Sequence, residues 1–244
     1  MVNLCWMNKN MAEEFRFITD DMSDVDTLEL MDALPNYFSL SEDVEHTAYL
    51  NWRFDFTDDI ESHFFSMGKG YFETSISLIE QCIADNHNKR ADIWIFPILF
   101  NVVHGIEVYL KGFNSKYHVF CELEETGELL DSKIEGKHDI RQLCQVAIKS
   151  LRRNADTEIL NEMMFVQRFI DILYQNTDDM TFARYPITSK KNNHFYIGTQ
   201  DNVTIDMDVL RQWVLRLYSV LDNVTGYVSS LTDQMKELRS ELLY

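Results

Sequence analysis

The chain has 244 residues, 45% hydrophobic and 25% charged, enough to bury one sizeable core and too apolar for a disordered chain. Forty acidic residues against 22 Lys and Arg give −18 at pH 7, which disfavours a protein that holds nucleic acid by its overall field. Eight glycines and three prolines leave little punctuation for tight turns, which argues against an all-β sandwich or barrel and for long helices.

The charge is uneven along the chain. Residues 1–61 hold fifteen acids and three bases, so this quarter contributes −12 of the −18. The start lacks a basic head followed by an apolar stretch, so no secretory signal is read and a cytoplasmic chain is expected. One short helical pattern around Val25, Leu28, Leu30, Met31 and Leu34 stops before Pro35. Phe38, Tyr49, Trp52, Phe54 and Phe56 suggest that the segment packs onto something. We read residues 1–56 as an acidic extension of a helical body spanning 57–244, either docked on that body or offering a surface for a protein partner or for mimicry of nucleic acid.

From Thr57 the pattern becomes helical, with Thr57 or Asp58 as N-cap and acids in the first turn. The apolar stripe runs through Ile60, Phe64, Met67, Tyr71, Leu78 and Cys82, with an adjoining row at Phe72, Ile76, Ile79 and Ile83, ending near Asn86. A second helix over 92–113 is nearly continuously apolar and reads as central and buried. Pro97 falls inside it, so the regular helix is expected to begin at or just before Pro97. The longest apolar run, Ile93 to Phe100, is far short of the roughly 20 residues of a membrane span. No membrane segment is expected.

Residues 114–137 read as a linker rich in Glu, Gly and Lys. Asp139 with Gln142 makes a capping-box-like start for a helix to Arg153, whose inward face is Ile140, Leu143, Cys144, Ala147 and Leu151. A further helix from Asp156 to Tyr174 buries Ile159, Leu160, Met163, Val166, Ile170, Leu173 and Tyr174. Residues 177–205 are polar, and a small hairpin is expected from Phe182–Ile187 and Phe195–Ile197 across Ser189–Asn193. The last pattern is the most regular. Leu210, Val214, Leu217, Leu221, Val224, Val228, Leu231, Met235, Leu238 and Leu242 alternate spacings of four and three, as in a coiled-coil seam. A helix of about 35 residues would be about 50 Å long, so its tail is expected either to pack on its own bundle or to pair with a partner. Cys5, Cys82, Cys121 and Cys144 lack the short paired spacing of zinc sites and read as reduced apolar residues. No cofactor and no metal site is expected.

His104, Glu107 and Lys111 fall close to one face of the central helix, with Glu107 and Lys111 in the favourable i,i+4 orientation. They form either a satisfied, salt-bridged seam or a site that handles protons or contacts phosphate. Three strings occur in order: Pro97–Lys111, containing HGIEVYLK; Gly136–Leu143, containing KHDIRQL; and Phe182–Pro186, FARYP. Together, over roughly residues 57–235, they resemble the HEPN superfamily. That resemblance implies an all-α, up-and-down bundle of four or five helices that dimerises, in antiviral or toxin–antitoxin systems, many members being metal-independent ribonucleases.

Ribonucleases of that family carry an Arg separated by four to six intervening residues from a following His, so that His transfers protons and Arg stabilises charge on the scissile phosphate. Here the corresponding positions ahead of His104 hold Pro97, Ile98 and Leu99. The candidate polar site is therefore His104, Glu107, Lys111 and Arg184, with His138, Asp139, Arg141 and Tyr185 as secondary members. Arg184 is expected to anchor its loop by bonding a buried acid such as Glu107, or to contact a ligand. Either Arg184 or Arg141 is a candidate to approach His104 in the fold. The leading expectation is an interaction or regulatory component of a microbial defence or toxin-related system, homodimeric, contacting a protein partner through its acidic N-terminal region or C-terminal helix. The rival is an active ribonuclease using His104 with a non-adjacent Arg, in which case RNA is the partner. A third is an acidic mimic that inhibits a nucleic-acid-binding enzyme.

Overall fold

The computed structural model describes residues 37–50, 59–124, 138–153, 157–177, 179–188 and 190–242. The chain divides into two units, Met1–Trp52 with His87–Lys89, and Arg53–Asn86 with Arg90–Tyr244. In the first, Asp43 caps a 3-10 turn at Val44–His46 by accepting from the Glu45 backbone N–H. Phe38 and Tyr49, expected to pack, are exposed. The short pattern around Val25–Leu34 and residues Trp52, Phe54 and Phe56 lie outside the described residues.

The second unit is all-α. Its helices are α1 (Ile60–Ala84), α2 (Ala91–Glu124), α3 (Ile140–Arg153), α4 (Thr157–Asn176) and α5 (Met207–Leu242), with a 3-10 turn at Met180–Ala183. Helix α2 is the hub, packing on α1, α3 and α5, while α4 closes against α3 and α5. Its Ile98, Val102, Ile106, Leu110 and Phe113 are buried at the centre of the core. By length and composition α2 is apolar enough to cross a membrane, and half of its most apolar stretch is buried inside the bundle. Burial against three other helices accounts for that apolarity.

Four expectations about α1 and α2 need correction. Helix α1 is capped by Asp59, whose Oδ1 accepts from the Ser62 backbone N–H at 3.1 Å, while Thr57 and Asp58 lie outside the described residues. Its buried face is Gly68, Phe72, Ser75, Ile79 and Cys82, which takes Phe72 and Ile79 from the adjoining row and Cys82 from the stripe, whereas Ile60, Met67 and Ile83 are exposed. Small residues choose this face. A Cβ at Gly68 would stand 2.6 Å from the Tyr109 ring, so only glycine admits α2 this closely.

Helix α2 begins at Ala91, continues through Pro97, and runs to Glu124, so no break precedes Pro97 and residues 114–124 are helix rather than linker. Their polar side chains are tertiary partners. Asn114 Nδ2 donates to the Leu143 carbonyl, Ser115 donates to Glu61, buried Lys116 pairs with Asp59, and the Tyr117 hydroxyl donates to the Ser150 carbonyl. Residues 125–137 lie outside the described residues.

The amphipathic readings of α3 to α5 hold up better. Ile140, Leu143, Cys144, Ala147 and Leu151 are all buried, and α4 buries Met163, Val166 and Ile170, with Ile159, Leu160, Leu173 and Tyr174 half-buried. No strand occurs among the described residues. The expected hairpin reduces to one antiparallel bridge, Ile187 to Asn193, closed by Thr188 N–H to the Asn192 carbonyl at 2.8 Å. The apolar stripe of α5 is buried from Leu210 to Val228, half-buried at Leu231 and Met235, and exposed at Leu238 (53%) and Leu242 (85%). Cys82, Cys121 and Cys144 are free thiols.

Candidate functional site

The site grows from one buried carboxylate. Glu107 sits mid-way along α2, 8% exposed, and its position on the helix aligns it with His104 one turn before and Lys111 one turn after. Lys111 Nζ donates to Glu107 Oε1 at 2.9 Å. His138, from the residue before the α3 cap, places Nδ1 2.8 Å from the same oxygen. His104 Nδ1 stands 3.7 Å from Oε2, at ion-pair rather than hydrogen-bond distance. Burial pushes the carboxyl up, but the contacts from His104, Lys111 and His138 and the charge of Lys111 outweigh it and hold Glu107 at about 2. Glu107 is thus a fixed anion ringed by nitrogen.

Aromatic rings set the His104 plane. Phe100, one turn back on α2, stacks on it at 5.7 Å with 8° between the planes, and Tyr71 of α1 meets it edge-on at 4.7 Å. His104 is a third exposed and His138 mostly exposed.

Arg184 arrives from a different part of the chain. Asp179 caps the Met180–Ala183 turn, accepting from Thr181 N–H at 2.9 Å and Thr181 Oγ1 at 2.6 Å, and the Arg184 N–H closes the turn onto the Thr181 carbonyl at 2.8 Å. The Thr181 hydroxyl bond, against a smaller contribution from burial, keeps the Asp179 carboxyl below its ordinary value. Arg184 does not bond Glu107, whose oxygens are taken by Lys111, His138 and His104. Its guanidinium instead lies 5.7 Å from the Phe100 ring and 5.8 Å from that of Tyr185. Among the described residues no carboxylate lies within 4.0 Å of it.

His104, Glu107, His138 and Arg184, with Phe100, Val103 and Met180, line one cavity of about 350 Å³. Four of the eight candidate residues therefore converge. Lys111 supports Glu107 without lining the cavity. Asp139 is the α3 cap, accepting from the Arg141 and Gln142 backbone N–H groups and from the Tyr174 hydroxyl. Arg141 is turned to α4, its guanidinium 3.7 Å from the Tyr174 ring and its Nε 4.0 Å from Asp171. Of the two arginines expected as candidates to approach His104, only Arg184 shares its cavity.

Phe100, Tyr71 and Met180 were not foreseen. The four-residue spacing of Phe100 and His104 on one helix is a signal that points to the stack; Tyr71 and Met180 carry none in the sequence. Among the described residues no group of three or more His, Cys, Asp or Glu side chains is placed to hold a metal ion. Comparisons with protein-family models, with curated proteins and with solved structures return no match for this chain.

Proposed function

We propose that this chain is a HEPN-like protein of a microbial defence or toxin-related system that cleaves RNA by histidine acid–base chemistry, with Arg184 in place of the Arg missing ahead of His104. One observation carries this reading: Arg184, distant in sequence, lines the same cavity as His104 and His138. With Nδ1 turned to Glu107, His138 has Nε2 as its accepting nitrogen when neutral. His138 takes the proton from the ribose 2′-hydroxyl as that oxygen attacks phosphorus. His104, protonated, gives its proton to the departing 5′-oxygen, leaving a 2′,3′-cyclic phosphate and a free 5′-hydroxyl. Arg184 holds the phosphoryl oxygens, where charge grows in the transition state, and its forked guanidinium suits that task better than a lysine.

Labelled single-stranded RNA incubated in EDTA tests this. The wild type cuts it, and His104→Ala lowers the rate by about 10²-fold or more. RNA that stays intact with both proteins contradicts the reading.

A second reading, an interaction or regulatory component without cleavage, is favoured by Pro97, Ile98 and Leu99 where the family's Arg stands and by the exposed Leu238 and Leu242 at the end of α5. Its outcome is a captured protein partner and no cut RNA. Under both readings the chain pairs with a second copy in the cytoplasm, and sedimentation at micromolar concentration gives twice the 28.8 kDa chain mass.

A further inference from the structure

A second cavity, of about 300 Å³, lies where α4, the first turns of α5 and the segment 203–206 meet. Its walls are almost entirely apolar: Leu99, Phe169, Leu173, Phe182, Phe195 and Trp213. An adjoining cavity shares Leu99, Phe182, Phe195, Val203, Thr204 and Ile205, so residues 203–205 border both. Val203, Ile205 and Val209, which border it, stay 44–50% exposed. An apolar hollow of this size with few polar groups at its mouth is the usual form of a small-molecule site.

The polar groups name the head of the ligand. Asp206 lines the first cavity, and Asp92 and Asp201 line the second; no Lys, Arg or His lines either. Asp206 Oδ1 accepts from the Asp208 and Val209 backbone N–H groups as the α5 cap, and Oδ2 has no hydrogen-bond partner among the described residues. A carboxylate head would meet the like charge of the exposed Asp206, in a protein of net −18. An ammonium head would meet an opposite one.

The geometry points to a binding site for a small amphiphilic amine, its alkyl or aromatic body between Phe182, Phe195 and Trp213 and its cationic head at Asp206. The site is separate from the His104 cavity and stands whether or not the protein cuts RNA. Trp213 and the capping carboxylate sit on one helix end, so body and head are read by the same rigid element.

Calorimetric titration of the full chain with octylamine, octanol and octanoate tests it. Octylamine is expected to bind saturably at one site about tenfold more tightly than octanoate, with octanol between them and the advantage shrinking in high salt. Asp206→Asn keeps the helix cap while removing the charge, and brings octylamine to within about threefold of octanol. Val209→Trp, at a half-exposed position beside the opening, weakens all three by about tenfold or more with helicity unchanged. Octanoate binding as tightly as octylamine, octylamine binding undiminished in Val209→Trp, or no saturable binding at all overturns the proposal.

Discussion

Two cavities share one short turn and have opposite chemistry. Met180 and Arg184 line the His104 cavity, and Phe182 between them lines the apolar one. The first gathers two histidines and an arginine around a single buried anion, whereas the second has apolar walls and only carboxylates among its charged lining residues. The difference sets a pocket that gathers titratable side chains about Glu107 against one whose lining is mainly apolar. The polar cavity should therefore respond to charge and pH, and the apolar one to volume.

The largest effect is expected at the shared anion. Glu107→Ala strands Lys111, only 12% exposed, and should cost about 3–5 kcal/mol in urea unfolding at pH 7. The same carboxyl makes the wild type acid-sensitive. Its folded value, about 2, lies below the unfolded one, so its contribution of about 3 kcal/mol is complete above about pH 5 and is lost as pH falls toward 2. Glu107→Gln should remove that part of the slope. Phe182→Ala, at a 5% exposed position, should cost about 3 kcal/mol with no such pH dependence. If both variants show the same pH profile, the contrast between the cavities fails.

Smaller effects sharpen the frame that holds the two cavities. Gly112→Ala places a Cβ 2.6 Å from the Phe65 ring and 2.9 Å from Phe64 Cβ, so α1 and α2 must part, at about 1–3 kcal/mol. Asp139→Ala removes the α3 cap beside His138, at about 1 kcal/mol by thermal melting. Gly70→Ala meets nothing within 4 Å in mid-helix and should stabilise by about 0.5–1 kcal/mol.

How legible each element was follows from how it is buried. Helices α3 and α5 pack by one amphipathic face, so Leu143, Ala147, Leu217 and Val224 announce themselves by period. The face of α1 was misjudged because close packing is carried there by Gly68 and Ser75, which hydrophobicity does not flag. The end of α2 was misjudged because Asn114, Ser115 and Lys116 look like linker composition until their partners on α3 and at the start of α1 are in place. Within the site, the Glu107–Lys111 pair was readable from helical spacing. The convergence of His138 and Arg184 on His104 was not, because it depends on how α2, the start of α3 and the Met180–Ala183 turn meet.

The most direct test of the central claim is the chemistry of the cut ends. RNA incubated in EDTA with the wild type should yield fragments ending in a 2′,3′-cyclic phosphate, and both His104→Ala and Arg184→Ala should form that product about 10²-fold or more slowly while remaining folded. Fragments with other ends, or the cyclic product persisting in Arg184→Ala at the wild-type rate, would contradict the account.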